Sequence, residues 1–166
     1  MTVSRPFVAA TFQVSAGALL RDGDGRLLVL RPTYKKGWIL PGGMLEADES
    51  PWQGCRREVA EECGIHVETG RLVAVDTRPA EPGRRDTALR YLFDCGLIPA
   101  GQIIILQAEE LDDHRFVTPQ EAWDLLRPAL RRRVQSALAA VKAGQGCCYL
   151  ENGRPVPGVL PGPDRG

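Results

Sequence analysis

Apolar and polar residues follow two rhythms along this chain. Residues 8–20 are rich in Val, Phe, Thr and Ala, which predicts an extended strand. Asp22-Gly23-Asp24-Gly25 supplies a turn, and residues 26–30 form the returning strand of a hairpin. A polar loop over 32–37 carries Lys35 and Lys36. It is followed by the short apolar strand Trp38-Ile39-Leu40, stopped by Pro41-Gly42-Gly43. Residues 71–78 alternate like a strand with one wet face, and residues 89–97 form another, with Tyr91 and Phe93 on one side. Between them, 79–86 is a loop of Gly, Pro and Arg. Short strands are expected at 103–106 and 114–117, around the acidic run Glu109-Glu110-Leu111-Asp112-Asp113.

The helical rhythm is clearest after Ser50. Ser50 is an N-cap, Pro51 takes the first helical position and Gln53 completes a capping box. This helix is expected to reach Cys63, with Gly64 ending it in the left-handed conformation. Thr118, Pro119 and Glu121 repeat the same start signal. Pro128 breaks or kinks the second helix, and a further helical piece ends near Gly144. Leu125, Leu126, Leu130, Val134, Leu138 and Val141 have core spacing, whereas Arg131-Arg132-Arg133 reads as a solvent face. From Gln145 the chain is dominated by Gly and Pro, although 147–150 could add an edge strand. The expected organisation is one domain over 1–144 and a Gly/Pro-rich tail over 145–166. Strands and helices mix without steady alternation, which favours an α/β (α+β) fold with a mixed sheet and helices on its faces.

Composition narrows the function classes. Lys plus Arg and Asp plus Glu number 21 each, so no global charge points to nucleic acid or a membrane surface. Any anionic ligand needs a local site. The uncharged N-terminal stretch 6–20 is interrupted by Thr11, Gln13 and Ser15, unlike a signal peptide, and is too short to span a bilayer. Cys55, Cys63, Cys95, Cys147 and Cys148 are odd in number and form no C-x-x-C pair, as expected of reduced thiols in a cytoplasmic protein.

On the first helix, Glu58, Glu61 and Glu62 lie at i, i+3 and i+4 and share one face. Like charges one turn apart repel, and the C-terminal half of a helix disfavours anions. Such a cluster calls for a cation, and an all-oxygen donor set without His or Cys points to Mg²⁺ or Mn²⁺. Taken alone, the triplet reads as a solvated acidic face. The flexible Pro41-Gly42-Gly43 backbone ahead of it, with Lys35 and Lys36 as candidate phosphate neighbours, changes that reading.

Gly43, five residues, Glu49, seven residues and then Arg57-Glu58-Val59-Ala60-Glu61-Glu62-Cys63-Gly64-Ile65 resembles the Nudix box, G-x5-E-x7-R-E-U-x-E-E-x-G-U, with U apolar. Every specified position is filled, and the preceding 37–42 looks like the family's lead-in. The resemblance implies a Nudix-type α/β/α sandwich and hydrolysis of a diphosphate (pyrophosphate) linkage in a nucleoside diphosphate derivative. By the same resemblance, Glu58 and Glu62 ligate metal, Glu61 ligates or assists, and the Gly42 carbonyl contributes. Glu49 pairs with Arg57 to hold loop against helix, with Gly43 as further structural support. The acid that takes the proton from water varies in the family; Glu109, Glu110, Asp112 and Asp113 are the candidates beyond the helix.

Lys35, Lys36 and Arg78 are candidate substrate-binding residues, and Arg84, Arg85 and Arg90 flank the same loop. The expected partner is a nucleotide-type small molecule; a homodimer is compatible with the resemblance. The alternatives are a non-catalytic module that senses a nucleotide, which would be expected to lose the metal-binding glutamates, and an isomerase of isopentenyl diphosphate. The isomerase would need a recognisable active-site cysteine and further histidine ligands; the chain offers only His66 and His114.

Overall fold

The computed structural model describes residues 9–78 and 87–161. The predicted loop over 79–86, with Arg84 and Arg85, lies outside them. The elements run β1 (Phe12–Arg21), β2 (Leu27–Pro32), β3 (Gly42–Met44), α1 (Pro51–Cys63), β4 (Arg71–Arg78) and β5 (Thr87–Leu97). They continue with β6 (Leu111–Val117), α2 (Pro119–Leu125), α3 (Pro128–Lys142), β7 (Cys148–Glu151) and β8 (Arg154–Pro155).

The strands form one mixed sheet in the order β6-β2-β1-β5-β4-β7-β8, with β3 paired to β1. β1 runs parallel to β5 and β4 parallel to β7, while the other strand pairs are antiparallel. Each face of the sheet buries its own apolar layer. Leu19, Val29, Val73 and Leu92 pack with Ala122, Val134 and Ala137 of α2 and α3. Leu20, Leu28, Leu30 and Phe93 pack with Cys55, Val59 and Cys63 of α1. The result is the α/β/α sandwich expected from the sequence.

Local signals set the helix ends. Ser50 accepts from the Gln53 N–H and its own N–H goes to the Gln53 side chain, which closes the capping box. Gly64 ends α1 at φ 67°, where a side chain would be strained. Thr118 and Glu121 cap α2 in the same reciprocal way. Pro128 starts a separate helix at its first position, where no N–H is needed.

Three expectations are corrected. Gly42 and Gly43 do not merely stop a strand, because Gly42–Met44 itself pairs with Ser15, Ala16 and Gly17. Residues 103–106 are not a strand: Ile103 and Ile105 point outward, and Ile105 N–H reaches only the carbonyl of Cys63 at the end of α1. Trp38 and Ile39 make isolated bridges to Leu126 and Leu30 rather than a strand. The strand that 147–150 could add is present as β7, but it lies between β4 and β8 rather than at the edge, and its Leu150 is fully buried. The five cysteines form no disulfide. No helix among the described residues is long and apolar enough to cross a membrane.

Candidate active site

β3 and α1 bring the site together. β3 lies against the middle of β1, so its two glycines come very close to Glu58 and Glu62 in the C-terminal half of α1. A Cβ on Gly43 would lie 2.5 Å from the Glu58 carboxyl, and one on Gly42 would lie 2.3 Å from the Ala16 carbonyl. Gly42 also has φ 132°. Position 42 therefore requires glycine to seat the strand, whereas the bare Gly43 leaves room for the Glu58 carboxylate.

Glu62 is only 5% exposed, and its Oε2 accepts the Gly42 N–H at 2.7 Å. Burial dominates its acidity and pushes its pKa up to about 8, against the lowering effect of that hydrogen bond. Glu58 and Glu110 add like charge, while Lys35 opposes it. Desolvation also raises the pKa of Glu58, though Arg57 pulls it down. Glu61 is half-exposed at the rim.

Arg57 organises the loop and helix through all five of its N–H donors. Nε and Nη2 hold the two oxygens of Glu49 at 2.6 and 2.9 Å. Nη1 reaches Glu58 and Glu61, each at 3.0 Å, and Nη2 also bonds the Met44 carbonyl. The Arg57 hydrogen bond, helped by the Glu46 N–H, holds the Glu49 carboxyl down at about 2. The same pairing pushes the Arg57 pKa further up.

Gly42, Gly43, Arg57 and the three helix glutamates line a cleft of ≈ 520 Å³. Of the predicted substrate contacts, Lys35 lines it; Lys36 and Arg78 do not. The acids beyond the helix separate in the same way. Glu110 lines the cleft, whereas Asp112 pairs with Arg31 at 2.6 Å and Asp113 with Arg115 at 3.3 Å. Trp38 belongs to the core, and the guanidinium groups of Arg31 and Arg115 approach its ring at 5.8 and 4.7 Å. Trp52 packs on Phe93 and over Gly70.

Arg133 was misread by the sequence reasoning. It is not on a solvent face but is buried, bonded to Asp76 and part of the cleft lining. Its partner lies 57 residues earlier, so no local signal in Arg131-Arg132-Arg133 marks it.

Among the described residues, no three His, Cys, Asp or Glu side chains converge closely enough to enclose a metal ion. Glu58 and Glu61 lean to Arg57, and Glu62 to the Gly42 amide. The donor chemistry nevertheless suits a hard divalent cation. It is all oxygen, and two of the carboxylates are desolvated without an equal countercharge.

The NUDIX domain family model matches residues 11–139. A MutT-like protein of Streptomyces ambofaciens is 52% identical over 60 residues, covering 36% of this chain and 38% of the relative. Nucleoside diphosphate-linked moiety X motif 6 of Xenopus laevis is 35% identical over 98 residues, covering 57% and 45%. The chain thus spans less than half the length of these curated relatives. Among solved structures, the MutT protein from Methanosarcina mazei Go1 superposes with TM-score 0.66. It is 24% identical and covers 82% of this chain and 98% of that one, a likeness of fold.

Proposed function

The chain belongs to the NUDIX domain family, and on that premise we propose that it hydrolyses a diphosphate linkage in a nucleoside diphosphate derivative. The cofactor in this reading is a divalent cation, Mg²⁺ or Mn²⁺. The observation that carries the reading is the placement of Glu58 and Glu62, desolvated side by side against Gly42 and Gly43 at the wall of an open cleft.

Glu58 and Glu62 would hold the cation, with Glu61 and the Gly42 carbonyl as further oxygen donors. When bound, such a cation polarises phosphoryl oxygens and makes water a stronger nucleophile at neutral pH. Arg57 orients Glu58 and Glu61 and, through Glu49, ties the loop before α1 to the helix. Lys35 lines the cleft and partly offsets the acidic charge when a polyphosphate enters. Glu110 is the acid beyond the helix that lines the cleft, and it takes the proton of the attacking water. No covalent intermediate on the protein is needed.

The test is a panel of nucleoside diphosphate derivatives with Mg²⁺, scored for release of nucleoside monophosphate or phosphate. Turnover of at least one member is expected. Binding across the panel without any turnover would overturn the reading and favour a nucleotide-sensing module.

A further inference from the structure

The cleft that holds the glutamates is also lined by Arg133 of α3, which is only 8% exposed. Its guanidinium is fixed from behind. Nε donates to Asp76 Oδ2 at 2.7 Å, and Nη2 lies 2.7 Å from the same oxygen. Asp76 is wholly buried on β4, and its other oxygen accepts the Gly153 N–H at 2.8 Å.

Gly153 belongs to the tight turn between β7 and β8. A Cβ on it would lie 2.6 Å from the Ala129 carbonyl, so the turn sits directly on the start of α3. Arg132 anchors the turn a second time by donating to the Asn152 carbonyl from Nε and Nη2. A strand, a helix and the C-terminal hairpin thus set the position of one side chain.

Among the described residues, Nη1 of Arg133 donates to no protein acceptor, and the residue borders the cleft. Asp76 balances the charge, so what the pair offers the cleft is directed N–H donors without a net charge. Such donors match a neutral carbonyl oxygen better than a second phosphate, which would put two anions around one guanidinium. Leu130, only partly buried, lines the same cleft and gives a flat ring an apolar contact.

Resting on the nucleotide substrate proposed above, we infer that Arg133 reads the base, donating from Nη1 to a ring keto oxygen. Asp76 and the hairpin are positioning groups that hold the donor at its place. A base with an amino group at the same position would set donor against donor, so keto bases are favoured over amino bases.

The test compares GMP with AMP and UMP with CMP by calorimetric titration in the absence of divalent cation. The parent should bind the keto member of each pair roughly tenfold more tightly, the scale of one directed hydrogen bond in a buried site. Asp76→Asn combined with Arg133→Met removes both charges together and should bind the two members of each pair alike. Arg133→Lys keeps the charge but loses the planar fork, and should lose most of the preference. A parent without preference overturns the inference, as does a double variant that keeps the preference while folded by circular dichroism. Because the titration needs no turnover, its failure is separate from a failure of hydrolysis in the substrate panel.

Discussion

Arg57 grips Glu49 through two hydrogen bonds of 2.6 and 2.9 Å, one to each carboxylate oxygen, and donates its remaining N–H groups to Glu58, Glu61 and the Met44 carbonyl. One guanidinium therefore sets the loop before α1 and the acidic face of the helix in a single geometry. Glu49→Gln keeps the shape but weakens the grip, leaving Arg57 free to lean further onto Glu58 and Glu61. Losses of about 10- to 100-fold in activity or cation affinity are expected, as for other groups that orient metal ligands. Cation titrations and steady-state kinetics on the variant check this; unchanged values for both would remove Arg57 and Glu49 from the site's support.

The same pair carries a pH signature. Glu49 is held at about 2 when folded, below the ordinary carboxylate value near 4.5. A depressed folded pKa means that the unfolded chain binds the extra proton first as pH falls. The stability it contributes is complete above about pH 4.5 and is lost as pH drops toward 2. Denaturant melts of the parent and Glu49→Gln should therefore differ near neutral pH and converge on acidification. A gap that widens toward pH 2 would contradict the assignment.

Much of this arrangement was legible in the sequence because it is local. The capping box at Ser50, the left-handed Gly64 and the common face of Glu58, Glu61 and Glu62 all arise within one helix. What was not legible depends on distant partners. Arg133 looked like one of three solvated arginines until Asp76, from β4, was placed beside it. Residues 103–106 have the composition of a strand but find no neighbouring ladder, so Ile103 and Ile105 stay outside. Gly42 and Gly43 read as breakers, yet their missing side chains are what let β3 lie against β1 and α1. The strand at 147–150 was legible, but its place inside the sheet was not, because its partner β4 lies some 70 residues earlier.

Those two glycines should separate structure from activity. An Ala at Gly42 would place its Cβ 2.3 Å from a backbone oxygen, at a φ of 132° that L residues avoid. Gly42→Ala should therefore lower the melting temperature, with strain of order 1–3 kcal/mol from the backbone alone. At Gly43 the obstacle is a side-chain carboxylate that can swing away. Gly43→Ala should remain folded while displacing Glu58, with a drop in kcat of about tenfold or more, comparable to losing an oriented ligand. Equal effects of the two variants on melting and turnover would contradict this division.

Glu58 and Glu62 are desolvated carboxylates whose mutual repulsion a cation would relieve. Mg²⁺ or Mn²⁺ should raise the melting temperature of the parent, because a ligand that binds only the folded state stabilises it. In Glu58→Gln and Glu62→Gln that rise should shrink or vanish, and turnover should fall by at least about 100-fold, as expected when a directly acting group is removed. Differential scanning calorimetry with and without chelator measures the first effect and product release the second. A full cation-induced rise in both variants would place the metal elsewhere.

The buried pair of Arg133 and Asp76 makes a final, purely thermodynamic prediction. Their attraction offsets the desolvation of both groups, so the pair as a whole need contribute little net stability. Removing one member is different. Arg133→Met leaves a wholly buried Asp76 whose remaining partner is the Gly153 N–H. Breaking a buried pair in this way costs about 3–5 kcal/mol. Asp76→Asn in the same chain removes the stranded charge, and the amide oxygen can still accept from Gly153. The double variant should therefore recover most of the loss, and a double-mutant cycle in urea should return a coupling of several kcal/mol, the scale of a buried charge pair. Additive losses would mean that the two side chains contribute independently and that the hairpin, not the ion pair, fixes Arg133 at the cleft wall.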